Sequence, residues 1–258
     1  MEFRSPVVGV VHLLPLPGAP RWGGAMAKVV DAAVRDARAY EKGGAGAVVV
    51  ENFGDAPFFK EGLPPETVAA MARCAAAVRD AVKLPLGVNC LRNDARAALG
   101  VAAACGAAFV RVNVHAGVTA TDQGLVEGRA AETLRARAAL GLDTLIWADV
   151  HVKHGRPLFA GTITQAACDL VERAGADAVI VSGAATGAAT ELSDLRTVRA
   201  ALPDAFLLAG SGVRKETIGD VLLYADAVIV GTALKRGGKT TNPVDPARVR
   251  TLVRAAGR

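Results

Sequence analysis

One short pattern recurs four times along the chain and restricts the fold more than any other feature. It reads Gly44-Ala-Gly-Ala-Val-Val-Val50, Gly106-Ala-Ala-Phe-Val-Arg-Val112, Gly175-Ala-Asp-Ala-Val-Ile-Val181 and Tyr224-Ala-Asp-Ala-Val-Ile-Val230. Glycine suits the left-handed conformation that ends a helix. A Val/Ile run that is apolar on both faces suits a strand of a parallel sheet. The runs end 62, 69 and 49 residues apart, which fits two β/α units per step. Weaker strand signals fall between them at Val7–His12, Leu86–Asn89, Thr144–Ala148 and Phe206–Ala209. Helical patterns alternate with the strands at Ala27–Lys42, Pro65–Val82, Asp94–Cys105, Glu132–Leu140, Ile163–Ala174, Leu192–Ala201, Thr217–Tyr224 and Asp245–Ala256, with Asn93 as the expected N-cap of the third. The alternation predicts an α/β protein, a (β/α)8 TIM barrel occupying residues 1–258 as one domain. The rival is a doubly wound open sheet, which calls for a glycine-rich turn straight after the first strand. His12-Leu-Leu-Pro-Leu-Pro17 is not such a turn.

Composition narrows the function. Hydrophobic residues make up 52% of the chain and aromatics 4%, so the expected core is Ala, Val and Leu in close helix–sheet packing. The net charge of +5 is dispersed without a basic run, which argues against nucleic-acid binding. Ser5–Pro20 is the longest stretch free of Asp, Glu, Lys and Arg, yet its four prolines exclude a membrane-spanning helix. The cysteines Cys74, Cys90, Cys105 and Cys168 form no CxxC pair, and the three in Ala-rich helical stretches read as small buried hydrophobes of a reduced, cytoplasmic protein.

In a barrel the chemistry gathers where strands end. Polar residues concentrate there: His12, Glu51 and Asn52, Asn89, Arg111, Asn113 and His115, then Asp149, His151 and Lys153. Strand alternation puts Arg111, Asn113 and His115 on one face, and Asp149, His151 and Lys153 on another. An Arg111–Asp149 ion pair across the barrel is the plainer alternative for those two residues. Gly210-Ser211-Gly212 and Gly231-Thr232 follow the last two strands. There, backbone N–H groups of a glycine turn can approach a phosphate. Ser182-Gly183 and Thr186-Gly187 are candidates to extend that cradle. Tight turns that need glycine anyway are the competing explanation. The long connection Ala116–Arg129 suggests a lid or substrate loop.

Several stretches together resemble one known family. They are His12-Leu-Leu-Pro-Leu-Pro-Gly18, Val50-Glu-Asn-Phe-Gly-Asp-Ala-Pro-Phe58, Val88-Asn-Cys-Leu-Arg-Asn-Asp-Ala-Arg96, Arg111-Val-Asn-Val-His115, Thr121-Asp-Gln-Gly124, Ala148-Asp-Val-His-Val-Lys-His154, Gly231-Thr-Ala-Leu-Lys235 and Asn242-Pro-Val-Asp245. They look like the BtpA/SgcQ family, and the likeness covers nearly the whole chain. The resemblance implies a phosphate-binding TIM barrel and brings no settled reaction. The family name derives from a cyanobacterial factor needed for photosystem I accumulation, while other members sit in sugar-metabolism contexts.

Two functions of different class follow. The first is an enzyme acting on a phosphorylated sugar or similar metabolite, of isomerase, epimerase or lyase type. Its expected catalytic residues are Glu51, His115, Asp149 and His151. Glu51 or Asp149 removes a proton beside a carbonyl, His151 or His115 returns one, and Lys153 or Arg111 steadies the developing charge. His12, Asn89, Arg111, Asn113 and Lys153 are expected to bind substrate. Ser182, Gly183, Gly210, Ser211, Gly212, Gly231 and Thr232 are expected to hold phosphate. A Schiff base on Lys153 is a minor branch. On this reading Asp149→Asn abolishes turnover and leaves the fold intact. The residues name no cofactor, and the mixed donors His12, Glu51, His115, Asp149 and His151 suit a divalent metal. The second function is a non-catalytic assembly factor for a membrane complex. A homo-oligomer is compatible with either.

Overall fold

The Val- and Ile-rich segments pair into a ring. Its strands are β1 (Val7–His12), β2 (Ala47–Glu51), β3 (Leu86–Asn89), β4 (Phe109–Val112), β7 (Leu145–Asp149), β9 (Ala178–Val181), β10 (Phe206–Ala209) and β11 (Ala227–Val230). They close a parallel barrel in the order β1-β2-β3-β4-β7-β9-β10-β11. A computed structural model describes residues 3–158, 161–183 and 190–257. Thr186-Gly187 therefore lies outside the described residues. The helices are α1 (Met26–Gly43), α2 (Pro65–Ala81), α3 (Ala95–Cys105), α4 (Ala130–Ala139), α5 (Ile163–Cys168), α6 (Leu192–Ala201), α7 (Ile218–Val221) and α8 (Pro246–Ala256).

The repeated glycine does what the pattern predicts. Gly44 closes α1 in the left-handed conformation at φ 89°, and its N–H bonds to the Glu41 carbonyl at 3.0 Å. Outward-facing valines such as Val48, Val50, Val179 and Val228 meet helix alanines such as Ala33, Ala37, Ala98 and Ala102 in the main core. Cys74, Cys90 and Cys105 are buried free thiols, and Cys168 is half-buried.

The inward-facing residues form a second core, and here the composition misleads. Phe109 and Trp147 stack inside the barrel with ring centroids 3.6 Å apart and planes 11° apart. Gly87 on the neighbouring strand faces the Phe109 ring, and a Cβ at that position would collide with it. Few aromatics are needed because two of them fill the barrel's interior at one level.

Three elements differ from expectation. The N-cap of α3 is Asp94, whose carboxylate accepts the Ala97 N–H at 2.8 Å. Asn93 instead bridges to the backbone of Val114 with both ends of its amide. The helix beginning at Ile163 breaks into a π-type turn over Asp169–Arg173. The long connection after β4 is a hairpin, β5 (Val118–Thr121) and β6 (Gly124–Glu127). A third strand, β8 (Gly155–Pro157), comes from the connection after β7 and pairs antiparallel with β5. The resulting sheet, ordered β6-β5-β8, is pinned by a small core of Val114, Val126 and Val152.

Candidate functional site

Parallel register builds the site at the rim. His12 lies opposite Glu51 in the β1–β2 pairing, and Glu51 lies opposite Asn89 in the β2–β3 pairing. The Asn89 amide donates to Glu51 Oε2 at 2.7 Å, while Glu51 Oε1 stands 3.9 Å from His12 Nε2. Among the described residues Glu51 Oε1 has no close hydrogen bond, and Glu51 lines the cavity. Asn89 stands behind it and does not line the cavity. Asn52 and Asp55, on the same motif, serve the loops. Asn52 clamps both backbone groups of Leu91, and Asp55 accepts the Leu16 N–H at 2.8 Å.

Arg111 and Asp149 form the ion pair raised as the plainer alternative. Arg111 grips Asp149 with two bonds, Nε to Oδ2 at 3.0 Å and the guanidinium NH2 to Oδ1 at 2.8 Å. Asn113 donates to Oδ2 at 2.8 Å and Ser182 to Oδ1 at 2.9 Å. Burial works against the charge on Arg111, but the Asp149 carboxylate outweighs it and raises the arginine's pKa. A carboxylate accepting four such bonds has its lone pairs taken and none aimed at a substrate. Asp149 therefore positions Arg111, and the general-base role expected of it is not supported by this geometry.

Strand alternation fails beyond the strand ends. Because β4 stops at Val112, His115 turns away from the mouth: its Nε2 lies 3.0 Å from the Ala174 carbonyl, and the ring is fully buried. Because β7 stops at Asp149, His151 does not line the cavity. Burial lowers its pKa, and the Asp194 carboxylate works in the opposite direction. Neither histidine joins the site. With Asp149 engaged, the five proposed metal donors do not converge. Among the described residues no three His, Cys, Asp or Glu side chains gather as a metal set.

The remaining groups open into one cavity of about 1110 Å³, slightly larger than ordinary ligand pockets. Its polar wall is His12, Glu51, Arg92, Arg111, Asn113 and Lys153. Gly210-Ser211-Gly212 and Gly231-Thr232 line the same space, and Arg214, Lys215 and Arg248 extend it outward. Ser182 and Gly183 are not on this wall, since Ser182 is turned to Asp149. Both turn glycines also answer a packing need. A Cβ on Gly210 would run into the Ser182 hydroxyl, and one on Gly231 would come 2.7 Å from His12 Cε1.

Arg92 was not singled out from the sequence. It is 7% exposed, lines the cavity and donates to the Lys153 carbonyl. Three buried polar atoms of these lining residues have no hydrogen-bond partner among the described residues: His12 Nδ1, Arg92 Nε and Asn113 Oδ1. Native proteins rarely leave such groups unpaired, so the residues lining this cavity carry polar capacity that the fold itself does not use.

His12 packs on Phe53 with ring centroids 4.7 Å apart. Burial, then the charges of Lys235 and Lys153, lower its pKa from 6.5 to about 3. The folded protein thus refuses a proton that the unfolded chain accepts below pH 6.5. The stability tied to His12 is complete above that pH and is lost as pH falls toward 3. Between pH 7 and pH 4.5 the expected loss is about 2.5 kcal/mol. Urea melts of wild type and His12→Gln at the two pH values measure it, since the variant should lack that share of the acid sensitivity.

The fold and site define a class, the TIM barrels that set a charged cluster and two glycine turns around one cavity at the C-terminal ends of the strands. The chain belongs to the BtpA family, whose profile matches residues 3–258. It is 46% identical over 254 residues to the photosystem I biogenesis protein BtpA of Synechocystis sp., covering 98% of this chain and 88% of that one. It is 32% identical to the putative sgc region protein SgcQ of Escherichia coli, covering 94% and 91% of the two chains. Among solved structures, thiamine phosphate pyrophosphorylase from Pyrococcus furiosus superposes with a TM-score of 0.63 at 14% identity, covering 98% and 96%. That likeness is one of fold. Among the described residues no helix is long and apolar enough to cross a membrane.

Proposed function

We propose that this chain is a cytoplasmic enzyme, one barrel domain over residues 1–258, that acts on a phosphorylated sugar or a similar phosphorylated metabolite. The observation that carries the reading is convergence: both glycine turns and the cluster of Glu51, Arg92 and Arg111 open into the same cavity. The phosphate rests on Gly210–Gly212 and Gly231–Thr232. Glu51, with one oxygen steadied by Asn89 and the other uncommitted, removes a proton beside the substrate carbonyl. Arg111, fixed by Asp149, and Arg92 lie where negative charge develops on oxygen. Isomerase, epimerase and lyase chemistry share that first step. Structural neighbours such as the thiamine phosphate enzyme support the phosphate part by analogy of fold.

Thermal shift tests the reading, using phosphorylated trioses, pentoses, hexoses and nucleotides, each beside its dephosphorylated twin. A ligand at about 100 times its Kd stabilises the folded state by about 2.7 kcal/mol, which raises the Tm by several degrees. A phosphorylated compound should give that rise and its twin should not. Equal shifts within every pair, or none at all, would overturn the phosphate reading. In that case the assembly role in the name of the cyanobacterial relative becomes the better account.

A further inference from the structure

The chain holds two of its lysines, one buried and one half-buried, in contrasting ways. Lys235 is 1% exposed and meets a carboxylate, Asp36 Oδ2, at 2.8 Å, which is how proteins ordinarily keep a buried ammonium. Lys153 is treated differently. Its Nζ donates to the Gly210 carbonyl at 2.6 Å, and among the described residues no carboxylate lies within ion-pair distance of it. It lines the cavity, and its own backbone carbonyl is held by Arg92. The amine is therefore fixed at both ends, at the entrance to the Gly210–Gly212 turn, with Glu51 in the same cavity.

We propose that Lys153 is the covalent nucleophile of this site and that the substrate is a phosphorylated aldehyde or ketone. The proposal rests on the phosphate reading and adds the chemical class of the reacting group. The amine lone pair attacks the carbonyl carbon. A C–N bond forms, the C=O π pair moves to oxygen, and the oxygen takes a proton to give a carbinolamine. Loss of that hydroxyl as water leaves an iminium. From the ammonium form the sum is R–NH3+ plus O=C giving R–NH+=C plus H2O, with no oxidant or reductant involved. The iminium draws electrons from the neighbouring carbon, and this acidifies the proton that Glu51 is placed to remove.

The surroundings favour the free amine. Burial, and after it the Arg111 charge, lower the Lys153 pKa from 10.5 to about 8. Near pH 7.5 this gives Lys153 roughly a hundredfold more unprotonated amine than a lysine of ordinary pKa. A more acidic amine is also a weaker nucleophile, which leaves about a tenfold net advantage over the other lysines.

The experiment incubates the full-length protein with D-glyceraldehyde 3-phosphate or D-glyceraldehyde and sodium cyanoborohydride. Intact-mass measurement and peptide mapping then locate the reduced adduct, and thermal shift with the same phosphorylated aldehyde runs in parallel. The expected result is one adduct on Lys153, formed about tenfold faster than on any other lysine and faster still with the phosphorylated aldehyde. A Lys153 adduct formed equally fast with both aldehydes upholds the nucleophile and defeats the phosphate reading. A phosphate-dependent thermal shift with labelling scattered over surface lysines overturns the nucleophile and leaves the phosphate reading standing. Absence of any preferred adduct at Lys153 overturns the proposal whatever the thermal shift shows.

Discussion

Asp149→Asn lowers the stability of the protein by about 3–5 kcal/mol, the usual penalty for removing one partner of a buried ion pair. The geometry sets the reason. Arg111 directs two N–H groups at Asp149, and Asn113 and Ser182 add two more donors. An asparagine in the same place turns an NH2 group toward one set of those donors and leaves Arg111, which is 6% exposed, without its counter-charge. Replacing both members with apolar residues, Arg111→Met with Asp149→Leu, recovers much of the loss because no buried charge is left unpaired. Urea denaturation of Arg111→Met, Asp149→Leu and the double closes the cycle. A coupling near zero would show that the pair does not act as a unit. Both singles should also lose ligand-induced thermal stabilisation, because Arg111 lines the cavity. The expectation that Asp149→Asn spares the fold and abolishes turnover as a lost base is thereby replaced by a loss in both stability and binding.

Asp36→Asn has a comparable expected cost, about 3–5 kcal/mol, with the opposite functional signature. Asp36 on α1 receives Lys235 Nζ at 2.8 Å and the Val244 N–H at 3.2 Å. It fastens the segment after β11 to the first helix, and Lys235 sits 199 residues away from it in sequence. The variant leaves a fully buried ammonium facing an amide. Neither Asp36 nor Lys235 lines the cavity, so ligand-induced thermal stabilisation should persist in whatever protein folds. Measuring urea stability and ligand shift on both Asp variants separates the two pairs. Loss of ligand shift in Asp36→Asn at a temperature where it is folded would contradict the assignment of that pair to the scaffold.

What the sequence made legible follows from where periodicity holds. The strands were readable because residues such as Val48–Val50 and Val179–Val181 are buried on both faces, which demands an unbroken apolar run. Their register then put His12, Glu51 and Asn89 side by side without further information. The reading failed two or three residues past the strand ends, at His151 and His115. Alternation carried Arg111 and Asn113 to the mouth but not His115, because the extended backbone that enforces alternation stops at Val112. The place of Asp149 was legible, and the bonds that engage it were not. Its position follows from the strand, whereas its four donors come from β4, the residue after Val112 and the end of β9, which no single stretch of sequence brings together. Arg92 was hidden in plain view within a motif, since an arginine between strand and helix usually faces solvent. The hairpin over Val118–Glu127 carries a usable signal, alternating Val118-Thr-Ala-Thr121 followed by a turn with Gly124 at φ 92°. Its polar residues masked that signal.

The small sheet over the mouth joins two connections that belong to different barrel strands. β5 and β6 arrive after β4, and β8 arrives after β7, yet β5 is hydrogen-bonded on both sides. Neither connection is complete alone: without β8 the hairpin exposes an open edge, and without the hairpin β8 has nothing to pair with. Lengthening or shortening one of them slips the register of the other and carries Asp122, which lines the cavity, to a new position. The two segments are therefore one structural unit, although they are far apart in the chain. A transplant of the mouth onto a different barrel would have to move residues 118–127 and 155–157 together, and would have to keep β4 and β7 as neighbours.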